Sequence, residues 1–214
     1  MILYFCFLPT ATREEGSRFE AEGSGTTASV AWFFPDRVFI ASVGDSGVSL
    51  GWADEHNELK AAQVTPDHRP EIPEERLRIE GENGEGPGRV GQRKNDAGKP
   101  CGPFRVYMKD VNFPGLMVSR SLGDTMAHRC GCTSEPYVYE HVWSAVDKYL
   151  ILASDGLWDV MDATEAMQIA HFQKKANAAS QYLCKQALRK RSNDNVTAVH
   201  IIIKKAVSGF CCVQ

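Results

Sequence analysis

The chain has 214 residues, 43% of them hydrophobic and 24% charged, which favours one globular domain with a substantial core over two domains. A formal net charge of −3, without an arm dense in Lys or Arg, argues against nucleic acid as a partner. Seven cysteines without a regular framework indicate reduced thiols rather than a secreted disulfide scaffold, so we expect a cytoplasmic or nuclear protein.

The N-terminal segment at residues 1–8 is apolar, but it is too short to span a bilayer and lacks the preceding basic residues of a signal peptide. Packing as a strand and fraying as a remnant both stay open for it. We therefore assign residues 1–22 to an N-terminal remnant or extension, residues 23–204 to the domain, and residues 205–214 to a C-terminal tail.

The first third of the domain is predicted to be an antiparallel sheet. Residues 26–34 are rich in Thr, Val and aromatic side chains, and the turn Pro35-Asp36 leads into a second strand at residues 37–43, as expected for a β-hairpin. Two more strands are predicted at residues 48–53 and 59–64, because a polar turn separates two further strand-like segments.

A short helix and a long loop are predicted next. Pro73, followed by Glu74 and Glu75, is typical of a first helical turn, and this helix should end by Gly81. Residues 81–103 are dense in Gly, Pro and mixed charge, so we expect a loop with at most one or two short strands. A disordered surface insertion and a substrate-contacting loop are both consistent with this composition.

The second half of the chain alternates strand and helix patterns. Arg120 and Asp124 have the spacing of an i,i+4 ion pair, which favours a structural role in a short helix at residues 119–124. Good helix formers at residues 163–190 predict one long helix or two shorter ones, with Asn177 as a candidate break. The predicted strands of this half lie at residues 104–108, 137–143, 149–153 and 196–203.

Acidic residues follow or precede several of these strands. Asp155 comes after a short apolar run that suits a strand buried on both faces, and Asp159 follows one helical turn later. Asp45 ends another strand beside glycine, and Asp194 stands just before the last strand. Simple helix capping is an alternative for Asp155, but the recurrence at three strand ends predicts an oxygen-ligand site for Mg²⁺ or Mn²⁺.

Seven motifs in order resemble the metal-dependent protein serine/threonine phosphatases of the PPM or type 2C family. They are Ser-Gly-Thr-Thr-Ala (24–28), Ala-Ser-Val-Gly-Asp-Ser (41–46), Thr-Pro-Asp-His-Arg-Pro (65–70), Gly-Pro-Phe-Arg-Val-Tyr (102–107), Pro-Gly-Leu-Met-Val-Ser-Arg-Ser-Leu-Gly-Asp (114–124), Leu-Ala-Ser-Asp-Gly-Leu-Trp-Asp-Val-Met (152–161) and Asp-Asn-Val-Thr-Ala-Val (194–199). The resemblance covers about residues 23–204 and implies an α+β fold, an antiparallel β-sandwich with flanking helices in α-β-β-α layers.

The resemblance also implies a function and a set of site residues. Family members use Mg²⁺ or Mn²⁺ to hydrolyse phosphoserine and phosphothreonine in proteins, so phosphoproteins are the expected partners. Asp155 and Asp194 match metal ligands of the family, and Asp45 and Asp159 match the acids of a further, weaker metal site. Residues 81–103 match the variable flap beside the active site.

The chain departs from the family pattern at its beginning. The family's phosphate-binding arginine and the Asp-Gly-His-Gly motif that bridges two metal ions have no counterpart here, since Asp155-Gly156 is the only Asp-Gly pair. We therefore assign no catalytic residue, and expect an N-terminally incomplete domain with impaired activity. The alternative is a catalytically dead pseudophosphatase that acts as a protein-binding module.

The last four residues fit a prenylation pattern. Cys211 lies fourth from the end of the sequence and Val213 precedes a terminal Gln, as in farnesylated proteins, although Cys212 is an atypical neighbour. An unmodified, frayed tail is the alternative. Because one prenyl chain gives only marginal binding, we expect at most peripheral membrane association, and only through a lipidated Cys211.

Overall fold

The structure is a computed structural model that describes residues 2–7, 22–173, 175–205 and 211–213. Its strands are β1 (Ile2–Phe7), β2 (Gly25–Phe33), β3 (Arg37–Val43), β4 (Gly47–Ala53), β5 (Leu59–Gln63), β6 (Gly88–Lys94), β7 (Pro100–Met108), β8 (Pro114–Leu116), β9 (Leu122–Gly123), β10 (Tyr137–Val142), β11 (Asp147–Ala153), β12 (Ala198–Lys205) and β13 (Cys211–Val213). Its helices are α1 (Pro73–Glu80), α2 (Thr125–His128), α3 (Asp155–Trp158), α4 (Ala163–His171) and α5 (Ala176–Arg189).

Two antiparallel sheets form the centre of the molecule. Sheet I has the strand order β1-β2-β3-β10, with β9 paired to the start of β2. Sheet II has the order β13-β12-β11-β4-β5. The N-terminal segment, for which the sequence left two interpretations, thus contributes a strand, since the backbone of β1 pairs along β2.

The core between the two sheets is made by alternate residues of their strands. From sheet II it includes Leu150 and Leu152 of β11, and from sheet I it includes Val38 and Ile40 of β3. Ile151, between the two leucines, points to the opposite side and joins the helices that cover sheet II. This explains why the apolar run of β11 is continuous, because both faces of the strand are buried.

Helices α4 and α5 pack on the outer face of sheet II. Their buried residues Met167, Ala170 and Leu183 meet Ile151 in one apolar cluster. Gly51 of β4 allows this close packing, because an added Cβ would lie 2.7 Å from the Met167 side chain. Of the two predicted alternatives, one long helix or two shorter ones, the structure shows two helices. The break falls before Ala176 rather than at Asn177, which lies in the first turn of α5.

Residues 81–103 are predicted to be a loop with at most one or two short strands, and the structure shows that they contribute two strands of a third, smaller sheet. Strands β6, β7 and β8 form an antiparallel sheet, and Val90 and Val106 are buried against Ile79 of α1. The turn at the tip is stabilised locally, because the Asn95 side chain accepts backbone hydrogen bonds and Gly98 has a φ of 72°. The glycine and proline content therefore indicated turns and strand irregularities here, not an unstructured loop.

The predicted helix at residues 119–124 was also wrong. The backbone N–H of Ser119 donates to His68 O over 2.8 Å, and that of Ser121 donates to Thr133 O over 3.0 Å. These long-range bonds hold the segment extended, so the helix α2 begins only at Thr125. Arg120 and Asp124 consequently do not form the predicted ion pair, and Arg120 binds Glu75 instead.

The predicted antiparallel sandwich with flanking helices is confirmed. Within the described residues, the main helix contacts are made with sheet II and with the β6-β7-β8 sheet. On the outward side of sheet I, Trp32 is 51% exposed, Val138 57% and Val142 60%. The two faces of the sandwich are therefore covered to very different extents.

Candidate active site

The four predicted site residues lie at one end of the sandwich. Ala153 of β11 is paired with Gly47 of β4 on one side and with Ala198 of β12 on the other, so these residues form a row across sheet II. Asp45 precedes Gly47, Asp155 follows Ala153 and Asp194 precedes Ala198. Strand pairing thus brings three distant parts of the sequence to the same edge of sheet II. We call these three aspartates, together with Asp159, the acidic edge.

The loop that carries Asp45 is fixed by contacts with two other segments. The Gly44 N–H donates to His68 Nδ1 over 3.1 Å, and the His68 N–H donates to Gly44 O over the same distance. Gly44 has a φ of 97°, and an added Cβ would lie 2.3 Å from Thr27, so only glycine suits this position. His68 therefore has the structural hydrogen-bonding role that its place in a proline-flanked turn suggests.

The segments of Asp155 and Asp194 are held together directly. Ser154 Oγ donates to Asn195 O and accepts from the Thr197 N–H, each over 3.2 Å. A Cβ at Gly156 would lie 2.3 Å from Asn195 O, so glycine is required for this close approach. The first turn of α3 is consequently locked against the loop before β12, and the two carboxylates have fixed backbone positions.

Trp158 fixes the other side of the same turn. Its indole N–H donates to Gly47 O over 3.1 Å and to Ala153 O over 3.0 Å. The side chain therefore bridges the start of β4 and the end of β11. Asp159 follows at the C-terminal end of α3 and its N–H donates to Asp155 O, so the two acids lie one helical turn apart, as predicted.

Arg69 lies among these carboxylates, and sequence reasoning gave it no role. Its guanidinium donates a short hydrogen bond to Asp159, and its Nε lies 3.8 Å from Asp45 Oδ2 and 3.9 Å from Asp67 Oδ2. A basic residue inside the Thr-Pro-Asp-His-Arg-Pro motif was the available signal. This signal could not identify the partner of Arg69, because Asp159 is distant from it in the sequence.

The carboxylates of the acidic edge interact electrostatically. Burial and the Asp155 charge raise the pKa of Asp45 to about 7, against an opposing effect of Arg69. Burial and the charges of Asp194 and Asp159 raise the pKa of Asp155 above its usual value. Negative charge is thus concentrated at this edge, and the single guanidinium does not fully offset it.

The chemistry of this donor set fits a hard divalent cation, which prefers carboxylate oxygens. The positions of the carboxylates, however, match a metal site less well than their chemistry does. Within the described ranges, no three His, Cys, Asp or Glu side chains converge closely enough to hold one metal ion. Positive charge beside Asp45 and Asp159 is supplied by Arg69 instead.

A buried ion pair network supports the segment that carries His68 and Arg69. The Glu75 carboxylate is only 4% exposed and accepts hydrogen bonds from Arg78, Arg120 and Ser119. Although burial opposes ionisation, these donors hold the pKa of Glu75 well below its usual range. The structural role predicted for Arg120 is therefore confirmed, with Glu75 rather than Asp124 as its partner.

The predicted lipidation site is only partly described. The backbone of Cys211 lies in β13, which pairs with the end of β12, while the side chain of Cys211 and residue 214 lie outside the described part. Farnesylation of Cys211 stays a prediction. Among the helices of the described residues, none is both long and apolar enough to cross a membrane.

Comparisons with known proteins agree with the geometry. The family model of Protein phosphatase 2C matches residues 7–196. The chain is 34% identical over 176 residues to "Probable protein phosphatase 2C 73" of Arabidopsis thaliana, covering 82% of this chain and 45% of that protein. It is 31% identical over 194 residues to "Probable protein phosphatase 2C 72" of the same plant, covering 87% and 56%.

Solved structures give the same result. A serine-threonine phosphatase 2C from Toxoplasma gondii superposes with a TM-score of 0.70 at 28% identity, covering 86% of this chain and 60% of that one. A C. elegans sex determining protein shares the fold, with a TM-score of 0.67 at 23% identity, covering 84% and 40%. The chain spans about half the length of the curated relatives it matches. With its strand-end aspartates and a family match over most of its length, the chain belongs to the protein phosphatase 2C family.

Proposed function

We propose that this chain is a metal-dependent protein serine/threonine phosphatase domain that acts on phosphoserine and phosphothreonine in proteins. The observation that carries the proposal is the acidic edge, where strand pairing brings Asp45, Asp155 and Asp194 to the same end of sheet II. Burial and the Asp155 charge also raise the pKa of Asp45 to about 7. Crowding carboxylates costs stability, which a purely structural domain has no physical need to bear. Phosphatase names among the relatives support the same reaction.

The proposed ligands of Mg²⁺ or Mn²⁺ are Asp155 and Asp194, with Asp45 and Asp159 contributing to a further, weaker site. A divalent cation bound there supplies charge stabilisation to the phosphoryl group and activates water near neutral pH. The chain's own part is to fix the carboxylates through Ser154 and Trp158. Arg69 already pairs with Asp45 and Asp159, so cation binding at these two acids competes with an existing ion pair.

These 214 residues lack an Asp-Gly-His-Gly motif, and hence the carboxylate that bridges two ions in the family. Two divalent ions held close together would repel each other strongly without such a bridge. We therefore propose that turnover by this polypeptide alone is weak. A protein-binding module without catalysis is the second candidate, and the ion pairs between Arg69 and the acidic edge favour it because they satisfy the carboxylates without metal.

Calorimetric titration with Mn²⁺ tests the proposal. Asp155→Asn should weaken Mn²⁺ binding more than the matched control Asp124→Asn, since Asp124 takes no part in the acidic edge. Phosphate release from a phosphothreonine peptide, with Mn²⁺ or with EDTA, is measured in parallel and should be weak but metal-dependent. Equal effects of the two variants would contradict the ligand assignment, and the absence of Mn²⁺ binding would favour the binding module.

A further inference from the structure

A cavity of about 520 Å³ lies on the β6-β7-β8 sheet. Three cationic side chains line it, together with the neutral polar side chains of Gln92, Tyr107 and Asn112. The cations are Arg89, Arg93 and Lys94. None of the described residues that line the cavity is acidic, although the whole chain carries a net charge of −3. The cavity shares no residue with the acidic edge.

Within the described residues, the groups that hold Arg89 in place are neutral. Its Nε donates to Lys109 O over 3.1 Å, another nitrogen donates a short hydrogen bond to the Asn112 side chain, and the guanidinium lies 4.6 Å from the centre of the Tyr107 ring. These contacts fix the orientation of the side chain without neutralising its charge. A fixed guanidinium loses little conformational entropy when it binds an anion.

Arg93 and Lys94 add two exposed charges at the end of β6. Within the described part of the chain, neither makes an ion pair with a carboxylate. Other cations of the protein behave differently, since Arg37, Arg76 and Arg120 each bind an acidic side chain. The nearest acids along these strands, Asp96 and Asp110, do not line the cavity.

We propose that this basic cavity binds an anionic group, phosphate or carboxylate, in an acidic segment of the protein substrate. The identity of the ligand as a substrate segment rests on the proposed phosphatase function, whereas the anion preference rests on the three cations. A substrate rich in acidic or phosphorylated residues is repelled by the carboxylates of the acidic edge. The cavity supplies the opposite charge on a separate sheet, and so favours substrates with a second anionic group.

The test measures binding without turnover. Fluorescence anisotropy of a labelled hexaglutamate peptide is followed with the full chain in EDTA at low salt, and a hexaglutamine peptide serves as the neutral probe. The chain should bind the acidic peptide only. The double variant Arg93→Gln/Lys94→Gln should weaken binding about five- to tenfold, as expected for two lost charge contacts.

A charge-matched control is available outside the cavity. Lys99→Gln/Lys185→Gln removes two exposed positive charges from the β6-β7 turn and from α5, and should leave the affinity for hexaglutamate nearly unchanged. An equal loss in both double variants would show unspecific attraction and overturn the proposal. So would the absence of hexaglutamate binding, or tighter binding of an oligonucleotide or of anionic vesicles.

Competition separates the two sources of negative charge. Displacement of the peptide by inorganic phosphate supports a site for one phosphate group, and displacement only by unlabelled hexaglutamate supports a site for a run of carboxylates. Because these measurements need no metal and no hydrolysis, an inactive chain that still binds hexaglutamate through Arg93 and Lys94 refutes the phosphatase function alone. A chain that binds Mn²⁺ at the acidic edge but not hexaglutamate refutes the cavity proposal alone.

Discussion

The outer faces of the two sheets differ in what covers them, although both are largely apolar. On sheet II, Ile151, Met167 and Leu183 are fully buried between the sheet and the helices α4 and α5. On sheet I, Trp32 and Val142 are each more than half exposed. An apolar strand residue therefore contributes to stability only where another element packs on it, because the hydrophobic gain is proportional to the surface removed from water.

The exposed side of sheet I is only partly covered by its own aromatic side chains. The Trp32 and Phe34 rings lie 5.1 Å apart, and Phe34 meets Phe39 at 5.7 Å. These contacts bury some area but leave Val138 and Val142 exposed beyond them. Exposed apolar side chains of this kind favour self-association, whereas the covered face gives sheet II the rigidity that fixes Asp155 at its edge.

The largest expected effect concerns packing on the covered face. Leu183→Ala should lower the free energy of unfolding by about 2–5 kcal/mol, since a fully buried leucine is replaced and a cavity is left. Val142→Ala on sheet I should change it by less than about 0.5 kcal/mol. Urea unfolding monitored by tryptophan fluorescence measures both, and similar losses would contradict the distinction between the two faces.

A second effect depends on pH and on the same covered face. Burial lowers the pKa of His200 to about 4, and its backbone N–H donates to Ser180 Oγ on α5. Because the unfolded chain binds this proton below about pH 6.5, the contribution of His200 to stability should fall as the pH drops from 6.5 towards 4. The raised pKa of Asp45 acts in the opposite direction over the same range, so the His200 contribution is measured as the difference between parent and variant. The full difference in the pKa of His200 between the unfolded and folded chain corresponds to a loss of unfolding free energy on the order of 3 kcal/mol.

His200→Leu should flatten this pH dependence, measured as the unfolding free energy at pH 7 and at pH 4.5. Part of the slope stays, because burial lowers the pKa of His68 to about 4 as well. The exposed His56 provides the control, and His56→Leu should leave the slope as it is in the parent chain. An unchanged slope in His200→Leu would show that this histidine is not held neutral beneath α5.

A third effect tests how rigidly sheet II holds the acidic edge. Gly156→Ala should lower the free energy of unfolding by about 1–3 kcal/mol, because the new methyl group collides with Asn195 O and pushes the Asp194 loop away. Gly23→Ala is the control, since nothing lies within 4 Å of its added Cβ. Hydrogen exchange should accelerate at residues 194–197 in Gly156→Ala, and unchanged exchange there would refute the coupling.

The smallest effect on stability, but a clear one on association, is expected on sheet I. Val138→Lys/Val142→Lys should shift the protein towards monomer in analytical ultracentrifugation and change the unfolding free energy by less than about 1 kcal/mol. Asn83→Lys/Ser134→Lys adds the same charge at exposed positions outside the sheet. If this control suppresses association equally, net charge rather than the apolar face is responsible.

The sequence predicted most strands and the residues of the acidic edge. Strands β3 and β11 were predicted from apolar runs beside an Asp and a Gly, because backbone preferences and burial patterns are local. The same local signals placed Asp45, Asp155 and Asp194 at strand ends. Their roles as ligands of Mg²⁺ or Mn²⁺ stay predictions.

Local sequence patterns did not predict two other features of the fold. The extent of the β6-β7 hairpin was not predicted from the sequence, since Val90 and Val106 become core residues only when α1 supplies Ile79. The segment around Arg120 was read as a helix, because its bonds to His68, Glu75 and Thr133 come from distant parts of the chain. In each case a long-range hydrogen bond or contact outweighed the local preference.

Sequence alone thus determined that carboxylates lie beside the ends of three strands of this protein. Tertiary structure decided what stands beside them: Arg69 among the carboxylates, α4 and α5 on one sheet only, and three cations around one cavity. The physical reason is that charge pairing and burial act between residues that are close in space, whereas a linear pattern reports only neighbours along the chain.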